Sequence, residues 1–255
     1  MDEYSGVPLK DGERLDDLII GDYKLIQHPA EFCFAIDSVL LGHFATLKNK
    51  SRAVDLGSGS GVLGFILLHR GAQSVCGIEL NAEMAERSER SIIINGCTDK
   101  FSVVATDYKN IREILPAECA DLVIANPPYR RSKSGFISGK IGVAMAKHEI
   151  TADYRDVIDA ASYLLSTGGV LAMSHLPERL PEIISYLRVR GFEPKRLRMV
   201  HPKKAKNANI VLIESRRGLN PGLTVEAPLI IYESNGEYSA EIKEYYQNDN
   251  GISKL

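Results

Sequence analysis

Asn126, Pro127, Pro128 and Tyr129 stand together directly after an apolar run, Ala120 to Ala125, and their types define a chemistry. A planar amine conjugated to a ring or carbonyl is a poor nucleophile because its lone pair is delocalised. Two acceptors fixed on its N–H groups favour pyramidalisation and free that lone pair for attack on an electrophilic carbon. The Asn126 side-chain oxygen and the Pro127 carbonyl are such acceptors. The two prolines restrict the backbone that carries them, and Tyr129 supplies a ring to stack on a planar substrate. No strong general base is needed, because the nitrogen becomes acidic once it is alkylated.

A second constellation precedes the first. Asp55, Gly57, Gly59 and Gly61 lie in the stretch Val54 to Gly64, where an apolar run meets a helical one and glycines let the backbone approach a ligand at a helix N-terminus. Read from Gly59, the stretch is G-x-G-x-x-G, and Glu79 follows 20 residues later at the end of the next apolar run. A carboxylate there accepts hydrogen bonds from a ribose diol. Asp55 would sit badly beside a pyrophosphate but suits a cationic ligand. Asp107 can accept from an adenine amine while Tyr108 covers the base; a plain helix cap is the other reading of Asp107. A sulfonium nucleoside fits these residues better than a dinucleotide.

The pattern D-x-G-x-G-x-G formed by Asp55, Gly57, Gly59 and Gly61 resembles that of the S-adenosyl-L-methionine-dependent methyltransferases with a Rossmann-like fold. The resemblance implies that cofactor, with Glu79 on the ribose and Asp107 on the adenine amine. With the N-P-P-Y tetrapeptide it implies a planar amino group as acceptor: adenine in DNA or RNA, or the glutamine amide of release factors. Release-factor enzymes usually carry a substantial helical domain before the glycine loop, whereas about 50 residues precede it here. Phe34 to Leu41, with Asp37 and Ser38 at its centre, is similar to the F-x-x-D-[AS]-V-L-L stretch of the bacterial tRNA1(Val) adenine-N6 methyltransferases. In that family it closes over the cofactor, which implies a cofactor role for Asp37; a helix cap is its other reading. The resemblance runs from Leu15 to Tyr246 and implies methylation of the exocyclic amine of the adenosine immediately 3′ of the anticodon. Three other functions stay open: glutamine-amide methylation of a release factor, a nicotinamide-dependent oxidoreductase, and a catalytically silent RNA-binding module.

The elements that must position these residues are legible as alternating patterns. Ala53 to Leu56, Ser74 to Leu80, Phe101 to Ala105 and Ala120 to Ala125 are continuously apolar, as strands buried on both faces are, and Val62 to His69 and Ala82 to Ile94 between them read as helices. Further on, Tyr154 to Leu165 and the i, i+3, i+4, i+7 series Leu180, Ile183, Ile184 and Leu187 predict helices, with strands at Gly169 to Ser174, Arg196 to Val200 and Ile210 to Ser215. A helix entered at Asp37 is expected before the glycine loop, and a peripheral hairpin over Leu229 to Tyr238 after the last strand. The expected fold is α/β, Rossmann-like and doubly wound, with a seven-stranded, mostly parallel sheet and an antiparallel edge strand. Residues 1–50 would form an extension covering the cofactor, 51–218 the catalytic domain, and 219–255 a peripheral hairpin and tail.

Composition narrows the partners. The 255 residues carry 31 Lys+Arg against 33 Asp+Glu, so a polyanion must be met by a local patch. One is apparent: Arg188 to Arg217 holds ten Lys/Arg and two acids, and with Arg130, Arg131 and Lys133 it could hold tRNA phosphates around an extruded base. The longest nearly uninterrupted apolar stretch, Val62 to Leu68, is far short of a membrane span, and Met1 to Ser5 lack the basic start of a secretory signal. A cytoplasmic location is expected. Cys33, Cys76, Cys97 and Cys119 show no metal-type spacing and read as reduced. A monomer and a homodimer fit the sequence equally.

Overall fold

The continuously apolar runs become the middle of one large sheet: β5 (Arg52–Leu56), β6 (Ser74–Glu79), β7 (Phe101–Ala105), β8 (Ala120–Ala125) and β9 (Leu165–His175) are all parallel neighbours in the order β7-β6-β5-β8-β9. The structure, a computed structural model, describes residues 3–4, 6–30, 33–127 and 153–247. Pro128, Tyr129, Arg130, Arg131, Lys133, His148 and the tail from Asn248 lie outside the described residues.

Helices cover both faces of the sheet, which is why these strands alternate so little. On one face α1 (Ile36–Phe44), α2 (Val62–His69) and α3 (Ala82–Ile94) bury Leu40, Phe65, Ile66 and Ile92 in a single cluster. On the other, the one-turn helix α4 (Ile111–Ile114), α5 (Tyr154–Leu164) and α6 (Leu180–Val189) bury Ile111, Ile158, Ile183 and Leu187. Each fully buried large aliphatic side chain contributes about 2 kcal/mol of transfer free energy. Local chemistry sets the helix ends. The Asn81 side chain caps α3 by accepting from the Glu83 and Met84 amides, and Asp153 caps α5 through the Arg155 amide.

The antiparallel strand is not at the edge. β10 (Phe192–Lys203) and β11 (Ile210–Arg217) pair antiparallel across a short connection, as their spacing predicts, but β11 then takes the free edge of β9. That leaves β10 outside it, and β12 (Thr224–Val225) and β13 (Leu229–Tyr232) add to β10 in parallel, so the sheet has nine strands among the described residues and not the seven expected. The hairpin expected over Leu229 to Tyr238 is reduced to one antiparallel bridge, Tyr232 to Tyr238, because β13 pairs with β10 instead. A helix not predicted from the pattern, α7 (Ala240–Gln247), follows and buries Ile242.

The N-terminal segment is fastened to α3 rather than lying loose. β1 (Glu3–Tyr4) pairs with β2 (Val7–Pro8), and β3 (Arg14–Asp17) with β4 (Lys24–Gln27). Asn95, just after α3, bonds both the amide and the carbonyl of Lys24, and the Ser91 hydroxyl accepts from the Ile26 amide. Between them Glu13, whose side chain is only 3% exposed, is gripped by Arg87 and Arg90. Burial alone would raise the Glu13 carboxyl, but hydrogen bonds from Arg90, the Lys10 amide and Arg87 outweigh it and hold it at about 2. Among the described residues no helix is long and apolar enough to cross a membrane, and no cluster of metal-ligating side chains is present.

Candidate active site at the carboxyl edge

Chain order reverses at β5. Its successor β6 lies on one side and β8, reached after β7, on the other, so the carboxyl ends of β5 and β8 flank a switch-point crevice of the kind that binds ligands in open α/β sheets. The glycine loop leaves β5 there and Asn126 leaves β8. The topology thus brings together two motifs some 65 residues apart in sequence.

In the loop, Gly57, Gly59 and Gly61 all have left-handed backbone, with φ of 76°, 54° and 82°. Their reasons for being glycine differ. A Cβ on Gly57 would meet nothing within 4 Å among the described residues, so it borders space at the crevice that they leave open, whereas one on Gly61 would stand 2.5 Å from the Ser88 hydroxyl of α3. One cradles and the other packs. Glu79, at the end of β6, braces the loop: its Oε2 accepts from the Gly59 amide and its Oε1 from the Asn81 amide, both at 2.8 Å. The loop, the β6 carboxylate and the start of α3 therefore form one hydrogen-bonded unit.

Asp55 is fully buried on β5, and neither carboxyl oxygen has a hydrogen-bond partner among the described residues. Burial, with the Glu79 charge adding to it, pushes this carboxyl up to about 8. A buried unsatisfied acid next to a second acid is costly unless a donor or a cation compensates. Asp107 caps the turn after β7 by accepting from the Lys109 amide at 2.9 Å. Tyr108 is 8% exposed, its ring packed in the core on the α5 face with its hydroxyl unpartnered among the described residues, and burial raises the phenol.

Asn126 is held from two sides. Its Nδ2 donates to the Ser38 hydroxyl at 2.9 Å and its Oδ1 accepts from the Ser174 hydroxyl at 2.5 Å, and the Asp37 carboxylate interacts with the same amide. Pro127 beyond it is buried. α1 starts one residue earlier than expected, capped by the Ala35 backbone, so Asp37 lies inside the first turn and is not the cap. Burial raises its carboxyl, while the bonds from Asn126 and the Ser38 amide hold it partly down. Two contributors were not found from sequence. Ser174 is the tenth residue of β9 and Ser38 an ordinary first-turn serine, and only the fold brings them within reach of a residue 48 and 88 positions away.

The basic stretch is less available than its composition suggests. Arg188 pairs with Glu193, Arg190 with Asp159, Arg196 with Glu214 and Glu226, Arg198 with Glu241, and Arg217 with Glu118. Lys203, Lys204 and Lys206, in and after the exposed end of β10, have no ion pair among the described residues.

The fold and crevice are those of a Rossmann-like class I methyltransferase. The family model of the Methyltransferase small domain matches residues 23–174, and the chain belongs to that family. It is 28% identical over 211 residues to the tRNA1(Val) (adenine(37)-N6)-methyltransferase of Tolumonas auensis, covering 80% of this chain and 84% of that one. Identity to the protein of the same name from Aeromonas hydrophila is 26% over 209 residues, with 80% and 84% covered. Among solved structures, a predicted O-methyltransferase, Atu636 of Agrobacterium tumefaciens, is similar with a TM-score of 0.66 at 25% identity, over 86% of this chain and 99% of that one. TYW2 of Pyrococcus horikoshii, solved in complex with MeSAdo, shares the fold at a TM-score of 0.57 and 15% identity, over 81% and 72%.

Proposed function

We propose that this protein is an S-adenosyl-L-methionine-dependent methyltransferase acting on the N6 amine of adenine in tRNA, specifically adenosine 37 of tRNA1(Val), the substrate in its relatives' names. The observation that carries the reading is the fixed Asn126 amide at the same crevice as the open Gly57 cradle and the unpartnered Asp55 carboxylate. These residues fit a cationic nucleoside: Gly57 and Gly59 would admit it against the backbone while Gly61 packs the loop on α3, Asp55 would ionise to face its charge, and Glu79 would hold the ribose and Asp107 the adenine amine, whereas Tyr108, its ring packed in the core, is not free to cover the base. When bound, the cofactor supplies an electrophilic methyl group.

The chain's own residues then prepare the acceptor. The Asn126 Oδ1 and the Pro127 carbonyl accept from the two N–H bonds of the adenine amine, disfavour its planar form and stabilise the positive charge that develops on nitrogen. Pro128 stiffens the backbone and Tyr129 stacks on the base. Residues 1–50 cover the cofactor side of the domain, whose sheet and core extend past residue 218 through β12, β13 and Ile242. Arg130, Arg131, Lys133 and the basic stretch engage phosphates, with Lys203, Lys204 and Lys206 its available members. The enzyme works where tRNA resides, in the cytoplasm.

The test is transfer of labelled methyl from S-adenosyl-L-methionine to total tRNA from a strain lacking the gene, followed by nucleoside mass spectrometry. N6-methyladenosine is the expected product. Label in release factor and none in RNA would make the protein a glutamine-amide methyltransferase. No label in either, with tRNA bound, would leave a silent RNA-binding module.

A further inference from the structure

The Asn126 amide is the one group that the proposed chemistry requires in a single orientation, and an asparagine amide has two of nearly identical shape. Its surroundings distinguish them. In the observed orientation Nδ2 donates to the Ser38 hydroxyl and Oδ1 accepts from the Ser174 hydroxyl, with the Asp37 carboxylate interacting with the amide from the same first turn of α1 as Ser38. Turned over, the amide would set its oxygen against the Asp37 carboxylate, while the two serine hydroxyls, which can donate or accept, hold it in either orientation. Ser38 and Ser174 are buried, at 5% and 0% exposure, so water cannot readily compensate for the mismatch.

The same arrangement acts on charge. An amide whose N–H groups donate to a carboxylate is polarised, with more negative charge on its oxygen. That oxygen is the atom proposed to accept from an amine that turns cationic as it is alkylated. α1 therefore does more at this site than cover it, because its first turn, Asp37 and Ser38, reaches the catalytic asparagine itself.

We propose that Ser38 and Ser174 are positioning residues that fix the place of the Asn126 amide, that Asp37 beside them sets its orientation and polarity, and that Asp37 serves the acceptor base and not the cofactor. The inference rests on the methyltransferase reading above. It departs from the role the sequence resemblance implies for Asp37.

The test uses the full chain, an unmodified tRNA substrate, and calorimetric titration with S-adenosylhomocysteine as a binding readout independent of turnover. Asp37→Asn keeps shape and removes charge, and Ser174→Ala removes one oxygen from a buried site with little change of volume. Each is expected to lower kcat about tenfold at saturating tRNA and cofactor, with KM for tRNA and Kd for S-adenosylhomocysteine within twofold of wild type. Wild-type kcat in both variants, confirmed as folded by thermal melting, would overturn the inference. So would an Asp37→Asn protein whose Kd for S-adenosylhomocysteine rises tenfold while its kcat at saturation stands, since Asp37 would then be a cofactor residue. Asn126→Ala, measured in parallel, separates the two levels. If it keeps turnover, the tetrapeptide reading fails; if it alone loses turnover, only the positioning inference fails.

Discussion

The two walls of the crevice are built differently. The glycine-loop wall is local: Asp55 through Gly61 is one contiguous segment from the end of β5 into the loop, and Glu79, 20 residues beyond Gly59, closes it with a hydrogen bond to that amide. The Asn126 wall is assembled from three distant segments, with Ser38 from α1, Asn126 from β8 and Ser174 from β9. Backbone geometry makes the first wall and side-chain hydrogen bonds make the second. A binding function should therefore fail through changes at the first, and a turnover function through changes at the second.

The largest effect should come from the second wall. Asn126→Ala is expected to reduce kcat by roughly 10²–10³-fold, the usual cost of deleting one fixed polar group that stabilises a transition state. S-adenosylhomocysteine should still bind, and a calorimetric Kd that worsens along with kcat would erase the distinction between the walls.

Gly57→Ala tests the first wall. Because φ is 76° and the added methyl points into open space at the crevice, the strain is about 1–2 kcal/mol while the cradle is filled. We expect Kd for S-adenosylhomocysteine to rise at least tenfold with only a few degrees lost in thermal melting. Gly61→Ala, whose methyl would meet the Ser88 hydroxyl at 2.5 Å, should reverse that proportion, costing more stability than direct ligand contact.

Asp55 gives a prediction in pH. Its folded carboxyl lies at about 8, above the ordinary 3.8, so the folded state binds the proton more tightly than the unfolded chain does. Its contribution to stability is fully present below about pH 4 and is lost as pH rises towards 8. Without cofactor, Asp55→Asn should therefore melt higher than wild type at pH 8, with the difference narrowing towards pH 5, while S-adenosylhomocysteine binding weakens. Glu13 has the opposite sign. Held at about 2 against an ordinary 4.5, it stabilises above pH 4.5 and loses that contribution as pH falls towards 2. Removing it by Glu13→Gln should cost about 3 kcal/mol at neutral pH, in line with breaking a buried ion pair, without altering kcat at saturation.

The smallest effects belong to the basic stretch. Arg188→Ala breaks a surface ion pair with Glu193 and should cost under about 1 kcal/mol. Replacing Lys203, Lys204 and Lys206 by Gln should leave melting unchanged and flatten the dependence of tRNA affinity on salt, by roughly 0.7–0.9 in logarithmic slope for each phosphate that is no longer neutralised.

The difference between the walls also explains what could be read beforehand. Strands β5 to β8 were legible because burial on both faces makes them unbroken apolar runs, and α2 and α3 because their spans are apolar or amphipathic between glycine and asparagine boundaries. The glycine loop carries its geometry in its own sequence, since positive φ at three alternate residues calls for glycine. The place of β11 inside the sheet was not legible, because hydrophobic period says how a strand is buried and not which neighbour it takes. α7 was missed because its polar sequence shows little beyond Ile242 that must be buried. Ser38 and Ser174 were missed for a related reason: serine is common in both helices and strands, and nothing in the sequence links these two to Asn126. The ten-cation stretch misled in the other direction, since composition counted arginines that the fold spends on Glu193, Asp159, Glu214 and Glu241.

The most direct measurement is methylation of an unmodified tRNA1(Val) transcript by the purified protein, with the modified nucleotide mapped by nuclease digestion and mass spectrometry, alongside a transcript carrying guanosine in place of adenosine 37. One N6-methyladenosine at position 37 in the first transcript and none in the second is the predicted result. Equal methylation of both transcripts, or none of either under conditions where S-adenosylhomocysteine binds, would contradict the account.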